Sequence, residues 1–208
     1  MGNAVTEYGW EASNPQSCGY IAPAVLRILD SLKVKRVCDL GSGNGILVGL
    51  LKNSGYDAAG VECDKKGVEI SQKNYPNSNF YNFSVDDDPA LVLDAEGQAF
   101  DAVVSTEVIE HLFAPHSLPR FAKKILKKNG YLIVSTPYHG YIKNLALSIF
   151  NKWDKHHTAL WHGGHVKFWS RETLTQLLEQ NEFKVVAFYG AGRLPWLWKS
   201  MILVAKAI

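Results

Sequence analysis

Val37-Cys38-Asp39-Leu40-Gly41-Ser42-Gly43-Asn44-Gly45 is the stretch that decides the fold. The short apolar run Lys35–Leu40 leads directly into three glycines at alternate positions, and Asn44–Lys52 continues as a second apolar stretch. The first reads as a buried strand and the second as a helix. Glycines at such a junction let the backbone turn sharply and let a ligand approach with no Cβ in the way. A phosphate-binding P-loop is excluded, because no Gly-Lys-Ser/Thr follows. A dinucleotide fingerprint wants glycines at 41, 43 and 46, but Ile46 takes the last place and the third glycine is Gly45. Asp39 adds a negative charge at the loop. That charge repels a pyrophosphate and suits a cationic ligand.

Outward from this loop, apolar runs and amphipathic stretches alternate. Ala58–Val61, Asn79–Phe83, Phe100–Ser105, Tyr131–Thr136, Lys184–Tyr189 and Met201–Ala205 read as further strands. Lys65–Asn74 reads as a helix. So does Ser117–Lys128, with Leu118, Phe121, Ala122, Ile125 and Leu126 on one face, Ser117 as N-cap and Asn129-Gly130 as the stop. Ser170 caps another helix, with Leu174, Leu177 and Leu178 as its stripe. Strands alternating with helices imply an α/β fold, a parallel sheet covered on both faces. Such sheets bind ligands beyond the carboxyl ends of their strands, so the loops after the early strands matter most. Glu62 closes the second strand, where a carboxylate can accept two hydrogen bonds from a ribose diol, and Asp64 competes for that role.

The whole chain, 1–208, reads as one domain. Residues 1–34 form an N-terminal arm and helix, with Tyr8 and Trp10 expected to fold over the ligand. Residues 137–167 form an insertion or lid after the fifth strand, with a helix expected over Tyr141–Trp153. A chain of 208 residues can bury enough surface to fold without disulfides or structural metal. The three cysteines, Cys18, Cys38 and Cys63, show no CxxC spacing. With 22 basic and 20 acidic side chains, the charge balance argues against a general nucleic-acid binder. The N-terminus lacks a signal-peptide pattern and no apolar run reaches a membrane span of about 18 residues, so a cytoplasmic protein is expected. All six Trp lie outside 11–152, and five of the seven His fall between 139 and 165. The two ends of the chain therefore differ in chemistry.

With DLGSGNG, the acid of VECD, FDAVVSTEVIEHL and GYLIVSTP in place, the chain resembles the class I S-adenosylmethionine-dependent methyltransferases. The resemblance implies a Rossmann-like, mostly parallel sheet of seven strands with helices on both faces and an antiparallel last strand. It implies that Asp39 and the loop Gly41, Ser42, Gly43, Asn44 and Gly45 hold the methionine part of S-adenosylmethionine. Glu62, with Cys63 and Asp64 beside it, would hold the ribose. Ser84 and Val85 would flank the adenine and Asp86 would bind its amino group. Thr106 and Glu107 would border the sulfonium.

A second constellation concerns the acceptor. If Thr106–Leu112 turns helical, Glu107 and Glu110 share a face and His111 lies four residues from Glu107. Together with His165, in HGGHVKFWSR, the phrase resembles the ubiquinone-biosynthesis O-methyltransferases. It also resembles the small-RNA 2′-O-methyltransferases, which carry a Glu-x-x-Glu-His…His metal site. The resemblance makes Glu107, Glu110, His111 and His165 the ligands of a divalent metal such as Mg²⁺. Such an ion lowers the pKa of a chelated hydroxyl. Without it, His111 and His165 are the candidate general bases. The leading expectation is an O-methyltransferase acting on a small hydroxylated acceptor. The alternatives are an RNA 2′-O-methyltransferase, a non-catalytic S-adenosylmethionine-binding protein and an NAD-dependent oxidoreductase. Lys123, Lys124, Lys127 and Lys128 cluster, but on the expected solvated face of a helix. Within 141–153, Asn144–Phe150 is apolar between Lys143 and Lys152, a segment able to act as a lid, to pack, or to touch a membrane surface.

Overall fold

The computed structural model describes residues 17–157 and 164–208. The order of elements is α1 (Cys18–Leu32), β1 (Arg36–Leu40), α2 (Ile46–Asn53), β2 (Asp57–Val61), α3 (Lys65–Asn74), β3 (Asn79–Tyr81), α4 (Ala90–Glu96) and β4 (Phe100–Thr106). A 3-10 turn at Ile109–His111 follows. Then come α5 (Ser117–Ile125), β5 (Leu126–Pro137), α6 (Tyr141–Ile149), α7 (Trp153–His157), α8 (Arg171–Glu179), β6 (Phe183–Ala191) and β7 (Ser200–Ala207). The N-terminal arm with Tyr8 and Trp10 lies outside the described residues, as do Trp161 and His162.

One seven-stranded sheet has the order β3-β2-β1-β4-β5-β7-β6. Strands β1 to β5 pair in parallel, and β7 runs antiparallel to both β5 and β6. The chain leaves β1 toward β2 on one side and later returns to β4 on the other. The strand order therefore reverses between β1 and β4, where α/β sheets open a crevice. Period-two alternation sends successive side chains to opposite faces. On β5, Leu132 and Val134 join the core under α4, α5 and α8, while Ile133 joins the core under α1, α2 and α3. Both faces are thus covered, as the alternation of strands and helices predicts.

The departures have local causes. The helix expected to reach Lys128 stops at Ile125, because Leu126 is already extended and pairs with Phe100. The next registered pair is Ala102 with Tyr131. Lys127–Gly130 therefore bulge outward around Asn129, at φ +63°, and Lys127 pairs with Asp101 at 2.7 Å. The four lysines do not share a helix face. Ser117 is the first helical residue rather than the cap, a place taken by His116, whose side chain makes no capping bond. Ser170 does cap α8, in a reciprocal pair with Thr173. The helix expected over Tyr141–Trp153 breaks after Ile149 at the left-handed Asn151, φ +49°, and restarts as α7. Helix α4 was not foreseen. Its Glu96 receives Arg36 and Tyr81, closing the end of the sheet remote from the glycine loop.

Candidate functional site

A cleft of about 1230 Å³ opens beyond the carboxyl ends of β1, β2 and β4. Its floor follows from the glycine loop. Gly41 and Gly45 both sit at φ +80°. A Cβ on Gly41 would stand 2.4 Å from Val108 Cγ2, and one on Gly45 would stand 2.8 Å from the Phe80 ring. The N–H groups of Gly41 and Ser42 donate to the Val61 carbonyl at 2.8 and 3.1 Å, fixing the loop to the end of β2. The left-handed Gly45 delays the start of α2 to Ile46, two residues later than the sequence pattern suggests.

Asp39 lies at the bottom of this floor, 2% exposed, with one carboxylate oxygen that has no hydrogen-bond partner. Burial, and then the nearby Glu62, push its carboxyl up to about 8. Ser42 Oγ, in the same loop, is likewise buried without a hydrogen bond. A buried carboxylate in this state is costly unless it is protonated or meets a cation. Glu62 accepts from the Gly43 N–H at 2.8 Å and from the Asp64 N–H at 2.8 Å, which orient its carboxylate at the cleft. Asp64 is set apart from it: its side chain caps α3 by accepting from the Lys66 N–H. Of the sequence-predicted cofactor set, Asp39, Gly41, Ser42, Gly43, Asn44, Glu62, Cys63, Thr106 and Glu107 line the cleft. Gly45 and Asp64 support it from behind. Ser84, Val85 and Asp86 do not line it. They form a turn closed by the Asp87 carboxylate on the Ser84 N–H at 2.7 Å.

Glu107 follows β4 in a left-handed conformation, φ +56°. Its two oxygens accept from the hydroxyls of Ser135, at 2.8 Å, and Ser200, at 3.0 Å. Ser200 opens the antiparallel β7 opposite Pro137, so it stands at the same sheet edge. Burial lifts Glu107 to about 7 against those two hydrogen bonds and the positive Lys143. The left-handed residue turns Glu107 away from its neighbours, and the continuous helical face expected over 106–112 does not form. Glu110, His111 and His165 do come together, with ligand atoms all within 4.8 Å of one another, and Glu107 is not part of that group. The Val166 and Lys167 N–H groups donate to the Glu110 carbonyl at 2.9 and 3.0 Å, which brings His165 beside His111. The two rings stand edge to face with centroids 5.0 Å apart. Glu110 accepts from Thr136 Oγ1 at 3.1 Å through one oxygen, while its other oxygen is buried without a hydrogen bond. Burial and Glu107 push this carboxyl well above its ordinary range. The Glu110 carboxylate, with one oxygen left without a hydrogen bond, and two imidazoles fit a divalent cation.

The sequence reading gave Lys143 no role. It comes from α6, is 9% exposed, and lines the same cleft. The signal was the lysine itself, placed against an apolar stretch.

A family model described as "Methyltransferase domain" matches residues 15–187. The chain belongs to this family. It is similar to the ubiquinone biosynthesis O-methyltransferase of Roseobacter denitrificans, 26% identical over 176 residues, covering 82% of this chain and 69% of that one. The protein of the same name from Pectobacterium atrosepticum is 27% identical over 123 residues, 59% of this chain; the match spans about half, 49%, of that relative's length. Among solved structures, magnesium protoporphyrin IX methyltransferase from Synechocystis PCC 6803, with bound S-adenosylhomocysteine, shares the fold. The TM-score is 0.64 at 18% identity, covering 90% of this chain and 82% of that one. No helix among the described residues is long and apolar enough to cross a membrane.

Proposed function

We propose that this protein transfers the sulfonium methyl of S-adenosylmethionine to a hydroxyl oxygen of a small, hydroxylated acceptor. The observation that carries the reading is the unpartnered Asp39 oxygen at the bottom of a glycine-lined cleft. A cationic ligand relieves that burial. Asp39 and the loop from Gly41 to Asn44 hold the methionine end of the cofactor. Glu62, held by two backbone N–H groups, accepts from the ribose hydroxyls. Thr106 and Glu107 border the reacting methyl. When bound, the cofactor supplies an activated methyl group; the chain's task is to align an oxygen with it and to exclude water.

The acceptor oxygen is served by Glu110, His111 and His165. These residues would hold a divalent cation, which when bound makes a chelated hydroxyl more acidic. Glu107 is dropped from the earlier ligand set, because Ser135 and Ser200 already occupy its oxygens. The outer face of α6 supports a peripheral membrane contact through 141–153: Tyr141, Ile142 and Ile149 are 80%, 52% and 67% exposed. An apolar acceptor would be met at such a surface.

Calorimetry with S-adenosylmethionine tests the first part. Stoichiometric binding is expected, and preference for NADH would end the reading. Methyl transfer to catechols, with and without Mg²⁺ after chelation, tests the second. Activity should be lost on chelation, restored by Mg²⁺ and absent in His165→Ala. Full activity in the chelated protein would remove the metal.

A further inference from the structure

Helix α6 is built inside out. Its outward side chains include Tyr141, Ile142, Leu145 and Ile149, all exposed, while its one buried residue is Lys143. Ordinary surface helices do the reverse. The Lys143 ammonium has three N–H donors, and the hydrogen bond it makes is to the Lys199 carbonyl, at a long 3.3 Å. Among the described residues it forms no ion pair. Its attraction to Glu107 is offset by Arg193, and burial together with Arg193 draws its pKa down to about 8. Arg193 and Lys152 line the same cleft, and so does Lys199, whose ammonium lies over the Tyr20 ring. The cleft is therefore bipolar. Its floor, made by the sheet, carries Asp39, Glu62 and Glu107; its far wall, made by α6 and the approach to β7, carries these four cations.

We propose that the far wall is an anion subsite, and that the methyl acceptor carries a carboxylate or phosphate group held by Lys143 and Arg193. Lys143 is a buried residue whose ammonium has donors left over after its one long hydrogen bond, and such a group calls for the opposite charge. Lys143 and Arg193 come from α6 and the approach to β7, whereas Asp39 precedes the glycine loop, so the two demands belong to different elements of the cleft. A cationic donor suits the floor and an anionic acceptor suits the wall. Arg adds a planar fork that matches either anion, with Lys as a point charge beside it. This proposal rests on the methyltransferase reading, and adds to it the charge of the acceptor.

The test titrates the protein, saturated with S-adenosylhomocysteine, with three probes: catechol, 3,4-dihydroxybenzoate and phenyl phosphate. At least one anionic probe should bind about tenfold more tightly than catechol, and which one does so separates carboxylate from phosphate. Lys143→Met, close in volume, and Arg193→Ala, at an exposed position, should each remove most of that preference. Affinity for S-adenosylhomocysteine should stay within about twofold. Equal binding of catechol and both anions, or no binding of either anion, overturns the subsite. So does a matching loss of S-adenosylhomocysteine affinity in the variants, which assigns the cations to the cofactor's own carboxylate. Failure of the unmodified protein to bind S-adenosylhomocysteine at all is a different result, and rejects the methyltransferase reading itself.

Discussion

The floor of the cleft and its far wall are made by opposite means. The floor is the edge of a packed sheet: Leu40, just before the glycine loop, is fully buried, and each polar group beyond it is fixed by backbone or hydroxyl partners or left buried without one. Helix α6 turns Tyr141, Ile142, Leu145 and Ile149 to solvent and buries Lys143. Tight packing stabilises groups that would otherwise be costly, and Asp39 is such a group. Helix α6 contributes little apolar burial, so its cleft-facing residues are less bound to a role in folding. Stability and chemistry are thus divided between the two, and this division can be broken experimentally.

The largest expected effect is in the floor. Leu40→Ala removes a fully buried side chain between β1 and the core under α4 and α5. It should cost about 2–5 kcal/mol in denaturant unfolding. A loss below about 1 kcal/mol would mean that the loop's support is softer than its burial implies. Asp39→Asn comes next. The folded-state pKa of Asp39 is raised from 3.8 to about 8. The proton is held more tightly in the folded chain, so the unliganded protein loses stability as pH rises through that window, and the penalty is complete above it. Asn carries no such charge. At pH 8 the unliganded variant should melt about 2–8 °C higher than the parent, with the difference vanishing below pH 4. S-adenosylmethionine affinity should fall about 100-fold, the worth of one charge-assisted contact. A variant that binds normally, or that melts lower at pH 8, would show that Asp39 is not held in readiness for a cation.

Much of the floor was legible in the sequence, and much less of the wall. Alternating glycines, a leading Asp39 and an apolar run fix a strand, a turn and a helix by local rules, and the short apolar runs give the remaining strands. Ser170 was legible because a cap is a local bond. The failures sit at residues whose conformation is imposed by distant partners. Glu107, Asn129 and Asn151 all have positive φ, which propensity assigns to glycine. At Glu107 the conformation is held by Ser135 and Ser200, respectively 28 and 93 residues away along the chain. The left-handed turn removed Glu107 from the expected ligand face and left Glu110, His111 and His165 together. Glu62 and Asp64 were indistinguishable as letters; only the α3 cap, which uses Asp64, separated them. Lys143 was missed because a lysine beside an apolar stretch reads as solvated, and nothing local reveals that the helix lies inverted.

The smallest expected effect is on the outer face of α6, and it is the sharpest check on the comparison. Tyr141 and Ile149 are 80% and 67% exposed. Replacing both by Ser should change unfolding free energy by about 0.5 kcal/mol or less each, since exposed side chains contribute little to folding. In a purely structural helix nothing else would change. If α6 meets a membrane, the same double variant should sediment less with vesicles, because apolar contact area sets interfacial binding. Vesicles of neutral lipid and vesicles containing anionic lipid separate that apolar term from attraction to Lys152. A large loss of stability in the variant would show that these side chains pack, and the contrast between floor and wall would fail. Unchanged stability with unchanged sedimentation would leave the division of labour intact and remove the membrane from it.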